Sequence, residues 1–346
     1  MHYTIPVLIE LTPSGLFCSA GDFYIDPQLP VRRAIITHAH TDHAKPGSDA
    51  YLTSRSGKPL VQQRVGLRAK VESIEFGEEI EMRGVKVSLH PAGHILGSAQ
   101  VRVEYKGEIW VASGDYKLES DATCETFEHV KCHTFITEST FAKPTYKWKS
   151  QQEIFNQIND WWQMNALWGT TSVVAAYSLG KAQRVLAGLD PNIGPIIVYP
   201  TVEKFLPAYK AAGIALPEIL PFNDETIAAY KDKKPMIVAP PQFGRIDAER
   251  KFGPVSTAFA SGWMSKGGLH SKIHDRGFGL SDHADWQGLL TAIKETGAEN
   301  IFVMHGFVNT LVNYLCSMGW NASTFERHNS NASHQSSSLA NAALPE

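Results

Sequence analysis

The stretch that most constrains this chain is Ala34-Ile35-Ile36-Thr37-His38-Ala39-His40-Thr41-Asp42-His43. It begins as a β-branched, apolar run, the pattern of a buried strand. It then places three histidines and one aspartate within six residues. A strand that ends in a tight loop can aim alternate side chains at one point. His38 and His40 are two apart, so on extended backbone they share a face. Asp42 and His43 follow in the turn and can reach a second point nearby. Neutral imidazole and carboxylate suit zinc, manganese or iron. One histidine alone would read as a polar surface turn; the cluster reads as a metal-binding loop.

At 346 residues and 43% apolar content, the chain can build one large or two ordinary domains. Its net charge is −3, so any nucleic-acid surface has to be a local patch. Cys18, Cys124, Cys132 and Cys316 show no paired spacing. That pattern fits reduced, packed thiols of a cytosolic protein and argues against a zinc knuckle. No apolar run reaches membrane length and no N-terminal signal region is visible, so the expectation is a soluble cytoplasmic protein with no membrane partner. The Ser-, Asn- and Ala-rich tail, 328–346, reads as disordered.

Along the chain, apolar strands keep ending in chemistry. Val7–Leu11 and Leu16–Cys18 flank Thr12-Pro13-Ser14-Gly15 as a hairpin. Phe23-Tyr24-Ile25 runs into Asp26. Pro59–Ala69 reads as a short helix. Val85–Leu89 alternates and leads to His90-Pro91-Ala92-Gly93-His94, and Ile109–Ala112 leads to Ser113-Gly114-Asp115. Thr134–Thr137 ends in Glu138, and Ile301–Met304 ends in His305. Acids and histidines repeated at strand ends place one site at one edge of a sheet. From about Lys149 the pattern changes. Ile154, Phe155, Ile158, Trp161 and Trp162 recur at helical spacing, as a core face. Strands at Thr171–Tyr177, Pro195–Tyr199, Met236–Ala239 and Val255–Ser261 alternate with helices near Lys181–Gly188 and Val202–Ala212, which implies a parallel α/β unit. Gly279-Leu280-Ser281-Asp282-His283-Ala284-Asp285 then precedes a helix, Trp286–Glu295.

The HxHxDH pattern of residues 38–43 resembles the metallo-β-lactamase-fold hydrolases. The later residues narrow the resemblance to the β-CASP nucleases of that fold. Glu138 in Thr-Glu-Ser-Thr matches their motif A, His283 in Ser-Asp-His-Ala-Asp matches motif B, and His305 in Met-His-Gly matches motif C. The resemblance spans about residues 7–325. Within the branch, the chain looks most like bacterial DNA-ligase-associated exonucleases, which are also similar to mRNA 3′-end processing factors. Gly21–Pro27, Pro91–Ser98 and the short inserted region carry that closer match.

The resemblance implies an α/β fold: a metallo-β-lactamase αβ/βα sandwich with an inserted α/β domain of β-CASP type. The hydrolase part would comprise 1–148 and 271–327, with 149–270 inserted. It implies two divalent metal ions, zinc first and manganese as the alternative. His38, His40, His94 and Asp115 would hold one, and Asp42, His43, Asp115 and His305 the other. A carboxylate shared by two cations lowers their mutual repulsion. Asp26 would support the histidine loop, with Asp22 the weaker candidate. Asp42, Glu138 and His283 are the catalytic candidates. His283 would protonate the leaving oxygen and Glu138 would orient it.

The implied activity is hydrolysis of nucleic-acid phosphodiesters by a ligase-associated exonuclease, acting on single-stranded DNA or DNA ends. A DNA ligase or helicase would be its partner. In the family, motif C is typically histidine in RNA processors and valine in DNA-repair members, so His305 makes an RNA-processing ribonuclease the alternative. Cations for the strand are sought at Lys143, Lys147 and Lys149, and at Ser178, Lys181 and Arg184, where a helix opens after a strand. A solvated surface is the competing reading for these lysines. Trp148 and Trp263 offer base stacking or ordinary packing. Hydrolysis of a small thioester or lactam is disfavoured by the inserted region and His283. A non-catalytic interaction role is disfavoured by the complete ligand set.

Overall fold

A computed structural model describes residues 7–266 and 273–325. The expected boundary at 270/271 and the tail 328–346 lie outside the described residues.

The first six strands form one sheet in chain order: β1 (Glu10–Thr12), β2 (Gly15–Cys18), β3 (Phe23–Ile25), β4 (Arg33–Ile35), β5 (Ala50–Ser54) and β6 (Val71–Ile74). β1 to β3 pair antiparallel as a meander, and β3 to β6 pair in parallel. A second sheet begins with β7 (Glu79–Met82), β8 (Val85–Pro91), β9 (Ala99–Tyr105) and β10 (Glu108–Ala112), all antiparallel neighbours. Next comes β11 (Thr134–Ser139), parallel to β10.

The chain then makes a third sheet from β12 (Thr171–Ala175), β13 (Ile196–Val198), β14 (Leu220–Pro221), β15 (Met236–Ala239), β16 (Val255–Ala260) and β17 (Arg276–Phe278). Its order is β14-β13-β15-β12-β16-β17, parallel throughout. After it, β18 (Asn300–Gly306) returns to the second sheet and pairs with β11, with β19 (Asn321–Thr324) outside it.

Alternation in the strands sorts the cores. Ile25, Ile35, Val87, Val101, Val103, Trp110 and Ile136 meet between the first and second sheets. The opposite face of the second sheet buries Val111, Phe135 and Ile301 against the helices Trp286–Thr296 and Val308–Ser317. The apolar stripe of the helix Gln151–Leu167 packs on the third sheet, where Ile154, Ile158, Trp161 and Trp162 are buried. A buried Trp is worth about 3–5 kcal/mol against Ala. These two tryptophans are therefore core. The single helix expected over Val202–Ala212 is two, Pro200–Glu203 and Leu206–Ala211. Pro207 has no N–H to donate and opens the second one.

Among the described residues no helix is long and apolar enough to cross a membrane. The four cysteines are free, three of them buried.

β8, β10, β11 and β18 all run the same way. Their carboxyl ends therefore share one edge of the second sheet. β3 and β4 bring Asp26 and the histidine loop to the same place.

Candidate metal centre

Four donors converge beyond those strand ends: one ligand atom each from His38, His40, His94 and Asp115, all within 4.8 Å of one another. The hydrogen bonds show which nitrogen of each ring is free. His94 Nδ1 lies 2.8 Å from the Asp282 carbonyl, and His40 Nε2 lies 3.2 Å from the Leu179 carbonyl. A carbonyl only accepts, so both ring nitrogens carry the proton. Thr37 Oγ1 gives its one proton to Asp26 Oδ2 at 2.6 Å and so accepts from His38 Nδ1 at 3.0 Å. The remaining lone pairs are on His38 Nε2, His40 Nδ1 and His94 Nε2. His40 Nδ1 is 3.1 Å from each of the other two. Lone pairs facing at that distance repel, and a cation among them removes the repulsion. Asp115 Oδ2 completes the set, 3.6 Å from His38 Nε2 and 3.8 Å from His94 Nε2. Burial and the neighbouring histidines push His38 and His94 well below the usual imidazole range, and burial lowers His40. Neutral imidazole is the form that binds metal. This donor set fits a tetrahedral divalent ion.

Two glycines make the convergence possible. Gly114 sits at φ 57°, and a Cβ there would meet the Thr37 side chain at 2.8 Å. Gly93, at φ 72°, would press a Cβ on the Lys117 carbonyl at 2.2 Å. Both turns need the left-handed region and the missing side chain.

The second set is more open. His43 Nε2 faces Asp115 Oδ2 at 3.5 Å and Asp42 Oδ2 at 3.6 Å. Its Nδ1 is held by Asp26 Oδ2 at 2.7 Å. Burial opposes a charge on His43, but Asp115 and Asp26 outweigh it and hold its pKa well above the usual value. Burial likewise opposes the Asp115 charge, and His43 keeps that carboxyl well below the usual range. Asp42 is 60% exposed at its side chain. The His305 ring centroid lies 6.1 Å from that of His43, and His305 is exposed, at φ 51°. Asp26, also at positive φ, bonds Thr37 N as well, so one carboxylate ties β3 to the histidine loop. Asp22 instead pairs with Arg32, Arg33 and Arg83, away from these rings.

His283 lies against the first donor set, its ring 4.6 Å from that of His94. Its Nδ1 is 3.0 Å from both oxygens of Glu138. Glu138 is buried and also accepts from Tyr116 N at 2.8 Å. Burial disfavours the imidazolium, yet the Glu138 carboxylate outweighs it and raises His283 to about 9. Trp148 donates its indole N–H to the His283 carbonyl at 2.9 Å, so this tryptophan braces the loop.

The phosphate contacts expected of Lys181 and Arg184 require correction. Both are buried, 2% and 1% exposed. Lys181 Nζ pairs with Asp282 and Arg184 with Asp121. Arg184 also donates to the Ser281 carbonyl at 2.7 Å and the His94 carbonyl at 3.1 Å. Charges satisfied inside the protein are not available to a strand. They brace the site from beneath, a role unmarked in the sequence because their partners are distant along the chain, from 63 residues for Arg184 and Asp121 to 101 for Lys181 and Asp282. Ser178 is half-buried and bonds Thr201. Lys147 is exposed, and Lys143 Nζ sits 3.8 Å over the Phe307 ring. His90 pairs with Glu128 at the surface, apart from the cluster.

No family model matches the chain. It is similar to a probable DNA ligase of Opitutus terrae, 29% identical over 312 residues, which are 89% of this chain and 30% of that protein. It is also similar to cleavage and polyadenylation specificity factor 73 of Drosophila melanogaster, 29% identical over 138 residues, 38% of this chain and 20% of the relative. RNase aCSPSF2 of Saccharolobus solfataricus is 29% identical over 150 residues, 42% of this chain and 30% of the relative. The chain thus spans less than a third of the length of each. A protein of unknown function from Enterococcus faecalis V583 has a similar fold, with a TM-score of 0.52 at 12% identity over 79% of this chain and 75% of that one.

Proposed function

We propose that this chain, a relative of the β-CASP metallo-β-lactamase-type nucleases, is a metal-dependent nuclease. The observation that carries the reading is the pairing of His283 with Glu138 beside a four-donor metal set. A metal site alone serves many hydrolases; a positioned acid next to it serves one with a poor leaving group.

In this reading the first two sheets and their outer helices form the αβ/βα sandwich, from 1–148 and 271–327. Five strands of the all-parallel sheet, β12 to β16, fall in the inserted domain, 149–270, and its edge strand β17, Arg276–Phe278, comes from the segment that follows. His38, His40, His94 and Asp115 hold one ion, and Asp42, His43, Asp115 and His305 the other. Zinc is the first choice and manganese the second. Bound there, the ions supply Lewis-acid neutralisation of phosphate charge and a water of lowered pKa. The protein's own groups do the rest. Asp26 and Thr37 fix the rings of His43 and His38. Glu138 holds His283 with a proton on Nδ1, and the Nε2 proton goes to the departing oxygen as the P–O bond breaks.

DNA is the favoured substrate, because a relative named as a DNA ligase contains a segment similar to 89% of this chain. A ligase or helicase is the matching partner. RNA is the second reading, favoured by His305 and by the similarity to RNA-processing factors. The test incubates purified protein, loaded with Mn²⁺ or Zn²⁺, with single-stranded DNA and RNA labelled at either end. Metal-dependent shortening of the DNA is expected. Cleavage of RNA alone would move the chain to the second reading, and no cleavage of either would overturn the assignment.

A further inference from the structure

The third sheet carries a crevice that the metal centre does not account for. β13 continues to β14 on one side of the sheet, whereas its neighbour β15 continues to β16 on the other. The connections therefore part outside the carboxyl ends of β13 and β15. In parallel α/β sheets that is where ligands bind. A cavity of about 270 Å³ lies there, lined by Ser178, Tyr199, Thr201, Gln242, Phe243 and Asp247.

Its chemistry selects the occupant. No Lys, Arg or His is among the lining residues, and Asp247 is. Arg245, the nearest cation in sequence, is spent on Asp275 and Glu249. The Asp247 carboxylate is paired with Arg250, whose Nη1 lies 3.8 Å from Oδ1, so neither the lining residues nor these neighbouring arginines leave an unpaired cation for a phosphate. The Tyr199 and Phe243 rings meet at 5.1 Å with their planes 45° apart, both half-buried. They offer aromatic surface, flanked by two hydroxyls, an amide and a carboxylate. Aromatic surface with a few donors and acceptors suits a flat heterocycle.

The crevice is also coupled to the metal centre. The turn 177–180 serves both: the Leu179 carbonyl bonds His40 Nε2 at 3.2 Å, and Ser178, the preceding residue, lines the crevice. Buried Gln183 locks that turn, accepting from Gly180 N at 2.7 Å and donating to the Ser178 carbonyl at 3.0 Å. We infer that this crevice holds one unpaired nucleobase of a nucleic-acid strand whose scissile phosphate lies at the metal centre. The inference rests on the nuclease reading and adds a base-stacking seat to it.

The test measures binding of fluorescein-labelled single-stranded oligonucleotides by anisotropy, and turnover of the same oligonucleotides and of bis(p-nitrophenyl) phosphate, which has no base. Tyr199→Ala and Phe243→Ala should weaken oligonucleotide binding roughly 5- to 150-fold, the range for one lost stack. Tyr199→Phe should bind as wild type. All three should hydrolyse bis(p-nitrophenyl) phosphate at the wild-type rate. Gln242→Ala, at an exposed rim position, guards against loss of folding and should weaken binding several-fold. Saturating free adenosine distinguishes the sources of the base: failure to displace the oligonucleotide supports a strand-borne base, and full displacement would make the crevice a free-nucleoside site and overturn the inference. Unchanged oligonucleotide affinity in Tyr199→Ala, Phe243→Ala and Gln242→Ala would also overturn it, while leaving the nuclease reading intact. Wild-type protein that neither binds nor cleaves any oligonucleotide would overturn both.

Discussion

Asp115 Oδ2 stands 3.6 Å from His38 Nε2 and 3.5 Å from His43 Nε2, so one carboxylate oxygen faces both halves of the histidine cluster. A single oxygen between two donor sets is the arrangement expected of a bridging ligand. Asp115→Asn keeps the shape and removes the charge. Metal binding should weaken at least ~10-fold. Nuclease activity should disappear. Elemental analysis of the purified variant checks the first point, and full occupancy would remove Asp115 from the site.

Asp26 should act on one ion more than the other. It fixes the His43 ring directly and reaches His38 only through Thr37. Asp26→Ala frees His43 to turn and to shed its alignment. Removing such a support typically costs ~10- to 100-fold in metal affinity. Competitive chelator titration should show the second equivalent weakened and the first nearly unchanged. Equal loss of both would mean that Asp26 holds the whole loop rather than one ring.

Much of this centre could be read from the chain because its donors follow apolar strands. Ile35 precedes the histidine loop, Ala112 precedes Asp115, and Thr137 precedes Glu138, so pattern and chemistry sit side by side. Lys181 and Arg184 show the opposite case. A lysine and an arginine opening a helix look solvated, since such groups are rarely buried unless paired. Their partners Asp282 and Asp121 are distant in sequence, and only the packing of the third sheet against the loops brings them together. The crevice at Tyr199 was invisible for the same reason: strand order, unlike strand existence, leaves no local trace.

Burial of Lys181 makes a stability prediction. Lys181→Met leaves the Asp282 carboxylate buried without its counter-charge. Breaking one partner of a buried pair costs about 3–5 kcal/mol. Lys181→Met/Asp282→Asn should recover part of it. Urea unfolding of the two variants measures both. The salt dependence of oligonucleotide binding should stay as in wild type, whereas a phosphate contact would lower its slope by about one.

The His283–Glu138 pair makes stability depend on pH in the metal-free protein. The folded pKa of His283 is raised to about 9 from an ordinary 6.5. Protonation therefore binds more tightly to the folded state. Its contribution is complete below pH 6.5 and is lost as pH rises through 9. Between those values the denaturation midpoint of wild type should fall relative to His283→Gln, which cannot titrate. A constant gap between the two across that window would show that Glu138 does not hold a charged ring.

His283 also separates a proton donor from a ligand. It lies in the loop before the helix Trp286–Thr296, and its Nδ1 is committed to Glu138. The four-donor set is complete without it. Its task in the proposed mechanism is to deliver the Nε2 proton to the leaving oxygen. Removing a general acid typically costs ~10²–10⁴ in rate. His283→Ala should keep both metals and nucleic-acid affinity yet lose turnover by that factor. The defect should shrink on bis(p-nitrophenyl) phosphate, because nitrophenolate departs without a proton. Equal defects on both substrates would assign His283 to positioning instead. Loss of one metal equivalent would make it a ligand, and the proton-transfer role would be wrong.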